Sequence, residues 1–146
     1  MRYLFFYGTL IAGSGNAVEA AVHRKLVPVG RTTVKGRLYA IRDPLGWYPA
    51  LLPGTRPIHG MIYEVASNFG TADLALVDSY EGYDPRHPER SLYLRKPIGF
   101  RDSNGRLQVA DAYFYNAALP GGSRLVKGGD FHAWLEKNRL RAYSGR

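Results

Sequence analysis

Cysteine is absent from the 146 residues. That excludes a thiol nucleophile, a disulfide framework and any thiolate metal site. Long apolar runs are missing too, and nothing approaches the roughly 18 residues of a membrane-crossing helix. The N-terminus offers one arginine and then a strand-like segment, without the cationic stretch, apolar stretch and small-residue cleavage site of an export signal. The expectation is a cytoplasmic protein with no membrane partner. Named phosphate motifs are lacking. No Gly-Lys-Ser/Thr closes a Walker loop, and GSGNAV has Val18 where the dinucleotide fingerprint needs its third glycine. No Gly-x-Ser-x-Gly elbow is present, which disfavours a serine triad. His23, His59, His87 and His132 are scattered without ligand spacing, so no metal is expected.

What remains is an ordinary globular composition, 45% hydrophobic and 22% charged, of a length that fits one domain over residues 1–146. The 17 glycines predict many turns. The net charge of +8, mostly arginine, suits either nucleic acid or an anionic small molecule. The arginines are spread along the chain and no basic run interleaves with aromatics, so nucleic acid is not the expected partner.

Residues 2–7 read as a buried strand that stops at Tyr7-Gly8-Thr9. Gly13–Asn16 reads as a loop, with Asn16 capping a short helix over 17–25. Rough alternation over 26–41 predicts two short strands broken near Gly30. DPLGWYPALLPG reads as a loop with a brief extended piece at 48–52, and 59–65 as a strand. Helical spacing covers 71–81, with Thr71 as the cap. Asn104-Gly105 between SLYLRKPIGF and RLQVADAYFYN is a hairpin signal. After a Gly- and Pro-containing loop at 120–129, Asp130 caps a helix over 131–139, and the last residues look frayed. Strands outnumber helices and do not alternate with them. The predicted class is α+β, with a mixed or antiparallel sheet closing into a small barrel.

Two stretches carry candidate chemistry. Gly8 sits on the end of a buried strand, where a missing side chain lets a ligand approach the backbone and successive N–H groups face an anion. In DSYEGYDP, Leu74, Val77 and Glu81 stand at i, i+3 and i+7, so Glu81 shares the core-facing side of its helix. Gly82 is a ready C-cap. Loss of water and the negative helix end both raise the pKa of a carboxyl placed there, which suits a base working near neutrality. The competing arrangement is a glutamate curling back into solvent. Asp78, one turn earlier, is a second candidate. Most of the 11 tyrosines read as core or rim residues. Arg86 and Arg90, held between prolines, read as an exposed basic loop or the rim of an anion site.

FYGTL, Gly13–Asn16, YPAL, DSYEGYDP with HPER, Tyr93–Arg95, AYFYN and GGDFHAWL follow one another in an order that resembles the gamma-glutamylcyclotransferase-like family. The likeness covers most of the chain. It implies a small β-barrel with flanking helices and a cavity at one end. It also implies a γ-glutamyl substrate held by Tyr7, Gly8, Thr9 and Leu10, with Glu81 as acid/base and Tyr115 lining the cavity. Tyr113 is the alternative in register, and the role of Arg95 is left open. No cofactor or metal is implied. Gly128-Gly129-Asp130 stands where the family has Ser-Gly-Asp. A non-catalytic binding protein using the same cavity is the rival reading.

Overall fold

A computed structural model describes residues 2–8 and 17–144. The expected loop at Gly13–Gly15, the Asn16 cap, and Thr9 and Leu10 lie outside the described residues. Among the described residues, six strands and three α-helices follow in order: β1 Tyr3–Phe6, α1 Ala17–His23, β2 Leu26–Asp43, β3 Gly46–Val65, α2 Thr71–Tyr80, β4 Tyr93–Arg101, β5 Leu107–Tyr115, β6 Arg124–Leu125 and α3 Phe131–Asn138, with a short 3-10 turn at Pro88–Arg90 before β4. The strands form one curled, mixed sheet in the order β4-β5-β1-β3-β2-β6. The class is α+β, as the sequence predicts.

β1 lies in the middle of the sheet. It pairs antiparallel with β3, Tyr3 opposite Glu64, and parallel with β5, Leu4 opposite Asp111. Both of its faces are therefore buried, which explains the unbroken apolar run LFFY. Phe5 and Tyr7 point into a core with Leu38, Leu51, Ile62 and Phe114 that α3 closes with Phe131 and Leu135. Leu4 and Phe6 point the other way, into a second core that α1 and α2 cover with Val22, Val77 and Tyr80.

The expected break near Gly30 and the expected loop around YPALLPG are instead parts of one long hairpin. β2 and β3 pair from Leu26–Val65 to Asp43–Gly46, with register shifts between Pro28 and Gly30 and between Gly36 and Arg37. Bulges absorb the turn-forming residues without ending the ladder. β1 occupies the other side of β3 only at Met61–Glu64. Pro49, Pro53 and Pro57 therefore fall where that side of β3 has no β1 partner to lose.

The Asn104-Gly105 hairpin forms as expected. Gly105 has φ +77°, and the Asp102 carboxylate accepts from the N–H groups of Asn104 and Arg106. Asp130 caps α3, accepting from Ala133 N–H at 3.0 Å. At α2 the cap is Gly70 rather than Thr71. A glycine has no side chain to offer, and the Asp73 carboxylate reaches back to the Gly70 N–H at 2.8 Å, half of a capping box. No helix among the described residues is long and apolar enough to cross a membrane.

Candidate active site at the end of the first strand

α2 ends in a Schellman motif. Tyr83 N–H donates to the Asp78 carbonyl at 2.8 Å, Gly82 N–H donates to the Ser79 carbonyl at 3.1 Å, and Gly82 takes φ +70°. The motif fixes Glu81 as the last residue before the chain turns away. Glu81 is half-buried and lines a hollow together with Phe5, Phe6, Tyr7, Gly8 and Tyr113. Tyr48, Pro49, Tyr93 and Tyr143 complete the wall. The helical spacing that turns Glu81 toward the core thus brings it into the same hollow as the end of β1.

Gly8 is necessary here for a reason other than ligand access. A Cβ at Gly8 would lie 2.8 Å from Pro49 Cγ, closer than real Cβ atoms come. Pro49 in turn is held by Tyr93, whose hydroxyl donates to the Pro49 carbonyl at 2.6 Å. On its other side the Gly8 carbonyl lies 3.0 Å from His132 Nε2, so the Nε2–H tautomer donates to it from the first turn of α3. The strand end is clamped from both sides.

Tyr7 uses its hydroxyl on the backbone. It donates to the Tyr113 carbonyl. Burial, reinforced by the charge of Glu81, pushes this phenol well above its ordinary pKa despite the Leu51 hydrogen bond. Its ring is what faces the hollow.

Behind the wall stands a buried ion pair that the spacing argument left as a bare candidate. Asp78 is turned inward, its side chain 6% exposed, and takes Arg95 in a two-point contact: Nε to Oδ1 at 2.9 Å and Nη2 to Oδ2 at 3.4 Å. The Tyr113 hydroxyl donates to the same Oδ1 at 2.5 Å. The Arg95 guanidinium also lies over the Tyr83 ring, 5.7 Å from its centroid. Asp78 therefore does not open on the hollow; its charge is committed to Arg95 and Tyr113. Burial first, then the hydrogen bond to Asp78 and the charges of Asp78 and Glu81, raise the Tyr113 pKa far above the phenol range. Tyr113 stays a neutral O–H.

Tyr113, not Tyr115, lines the hollow with Glu81. Tyr115 is buried one step along β5, edge-on to Tyr93. Arg86 and Arg90 are exposed. The Arg95–Tyr113 juxtaposition had a usable signal. A hairpin centred on Asn104 places Tyr93 opposite Tyr115 and Arg95 opposite Tyr113, as observed. Tyr48 and Pro49 fall in the extended piece expected at 48–52, but nothing local there placed them against the end of β1.

A family model described as "Gamma-glutamyl cyclotransferase, AIG2-like" matches residues 4–133. Among solved structures, an AIG2-like protein from Mus musculus superposes with TM-score 0.67 at 21% identity, covering 100% of this chain and 97% of its own. Protein ytfP from Escherichia coli gives TM-score 0.59 at 26% identity, covering 93% and 98%. A structure described as gamma-glutamyl cyclotransferase gives 0.60 at 10% identity, covering 99% and 92%. No curated protein sequence matches. The strand-end hollow, the curled sheet and the family match agree, and the chain belongs to the gamma-glutamyl cyclotransferase, AIG2-like family.

Proposed function

We propose that this protein is an enzyme that closes a γ-glutamyl amine or γ-glutamyl peptide into 5-oxoproline and releases the amine, with Glu81 as general acid/base. One observation carries the reading: the Glu81 carboxyl and the Tyr7–Gly8 end of β1 line a single hollow. The family match supplies the substrate class.

The chemistry balances without a second reactant. The substrate's α-ammonium gives a proton to Glu81 and becomes a nucleophile. Its nitrogen attacks the γ-carbonyl carbon, and a five-membered ring forms through a tetrahedral oxyanion. Glu81 returns its proton to the departing nitrogen as the bond from the γ-carbon to that nitrogen breaks, and, ionised again, takes the ring nitrogen's surplus proton, which leaves with the released amine or water. The free α-amine has a reference pKa near ~8, so at neutral pH the first proton transfer is needed. General acid/base help of this kind is worth about 10²–10⁴ in rate. Holding the chain bent contributes more, since effective molarities for such ring closures reach about 10⁵ M or higher.

The hollow has a volume of about 30 Å³. It receives a reacting amine or carbonyl, while the leaving half of the substrate lies across the mouth. The backbone of Gly8, Thr9 and Leu10 is the proposed cradle for the α-carboxylate or the oxyanion. The net charge of +8 favours approach of an anionic substrate.

The test is a panel of γ-glutamyl compounds (glutathione, γ-glutamyl amino acids, ε-(γ-glutamyl)-lysine) incubated with the protein. Release of 5-oxoproline from at least one member is expected. Compounds that bind and are recovered intact would assign a binding role instead.

A further inference from the structure

We propose that Tyr113 is the hydrogen-bond acceptor for the substrate's α-ammonium, and that Asp78 and Arg95 are the positioning residues that set its polarity. This rests on the cyclisation reading above and assigns the part of the site that selects a free α-amine.

A phenol oxygen both donates and accepts. Which role faces a ligand depends on where its one hydrogen goes. For Tyr113 that hydrogen goes to Asp78 Oδ1 at 2.5 Å, the length of a charge-assisted bond to a carboxylate. The direction cannot reverse, because an ionised carboxylate only accepts, and Arg95 holds Asp78 in place through both carboxylate oxygens. Asp78 is not part of the hollow's wall, whereas Tyr113 is. The hydrogen therefore points away from the hollow, and any further hydrogen bond the hydroxyl makes to a ligand is one it accepts. Donating to an anion also makes an oxygen a better acceptor.

The rest of the molecule holds this arrangement still. Tyr7 fixes the Tyr113 backbone through its carbonyl, and the Tyr83 ring covers Arg95. Burial and the neighbouring carboxylates keep Tyr113 un-ionised. The wall thus shows a neutral acceptor beside the Glu81 carboxyl. Two acceptors suit an ammonium with several N–H groups. They give nothing to a carboxylate, and a substrate whose α-nitrogen is acylated brings a single N–H and no charge. Tyr113 would hold the nitrogen by one N–H while Glu81 removes the proton from another, so that the amine stays tethered as its new lone pair turns to the γ-carbonyl.

The experiment measures binding by calorimetry to two chains, Glu81→Gln and Glu81→Gln with Tyr113→Phe, so that turnover does not disturb the equilibrium. The ligands are γ-glutamyl methylamide and glutaryl methylamide, which differ only in the α-amine. The expected result is that Glu81→Gln prefers the amine-bearing ligand, and that adding Tyr113→Phe lowers this preference by about tenfold, the value of one charge-assisted hydrogen bond. Affinity for glutaryl methylamide stays as it was. A merely structural role for the hydroxyl would weaken both ligands together and leave the preference unchanged, and that result would overturn the assignment while leaving the cyclisation reading intact. Should the double variant not fold, equal affinity of the two ligands for the Glu81→Gln chain alone overturns it. Binding of neither ligand, with no 5-oxoproline released by the unaltered protein from any γ-glutamyl compound, overturns both proposals.

Discussion

Gly8 and Pro49 share one space: the position a Cβ would take on Gly8 lies 2.8 Å from Pro49 Cγ and 3.4 Å from its Cδ. Pro49 cannot retreat freely. It pairs with Ala40 in the β2–β3 ladder, and its carbonyl is held by the Tyr93 hydroxyl. Gly8→Ala must therefore push the strand end away from the wall it helps to form. The expected cost is about 1–3 kcal/mol of stability, typical of an overpacked site. Denaturant unfolding checks this, and 5-oxoproline release should fall by more than the stability loss explains. An alanine variant with unchanged stability and turnover would show that the contact yields.

The Asp78–Arg95 pair makes a second prediction. Asp78→Ala leaves the Arg95 guanidinium, only 20% exposed, and the Tyr113 hydroxyl without their carboxylate. Breaking a buried pair by removing one partner costs about 3 kcal/mol or more. Unfolding of this variant should show that loss, and Asp78→Asn, which keeps an acceptor oxygen, should lose less.

Acid should weaken the fold through two surface carboxylates. The Gly70 N–H, and then Lys25, hold Asp73 below its ordinary pKa of 3.8. The Gln108 side chain, and then the Arg106 N–H, do the same for Asp102. A depressed carboxylate contributes stability that is present above its unfolded pKa and lost as pH falls through the folded one. Melting temperature should thus drop as pH falls below the ordinary value of 3.8, with a shallower slope in Asp73→Asn.

Base acts through the tyrosines. Burial raises Tyr7, Tyr113 and Tyr115 above the phenol value of 10.0. Their contribution is complete below that value and is lost as pH rises past it, because the unfolded chain gives up protons that the folded chain keeps. In a spectrophotometric titration Tyr7 and Tyr113 should ionise only as the protein unfolds, and Tyr115 above the ordinary phenol value.

Much of this was legible in the residues. A buried apolar run at the N-terminus, a glutamate at helical spacing from Leu74 and Val77, and Asn-Gly between two strand-like segments each predicted a local feature that the fold contains. These signals are short-range, set by one turn or one helix face. The β2–β3 hairpin was legible only in pieces, because Pro49 and Pro53 sit in DPLGWYPALLPG, which reads as a loop around a brief extended piece at 48–52. Only the absence of β1 beyond Met61 makes them tolerable in a strand. What no local signal showed is that Gly8 makes room for Pro49. Asp78 had its place on the edge of the core-facing side of the helix, but its partners come from β4 and β5, and helical spacing does not announce them.

The central claim is that the Glu81 carboxyl moves the protons of ring closure. The most direct measurement is 5-oxoproline release by Glu81→Gln, with the γ-glutamyl compound that the unaltered protein turns over best. The glutamine keeps the size and one oxygen but cannot exchange a proton, so the account predicts a folded protein, substrate affinity within a few fold of the original, and a rate lower by about 10²–10⁴. Release at the original rate by a folded Glu81→Gln chain would contradict it.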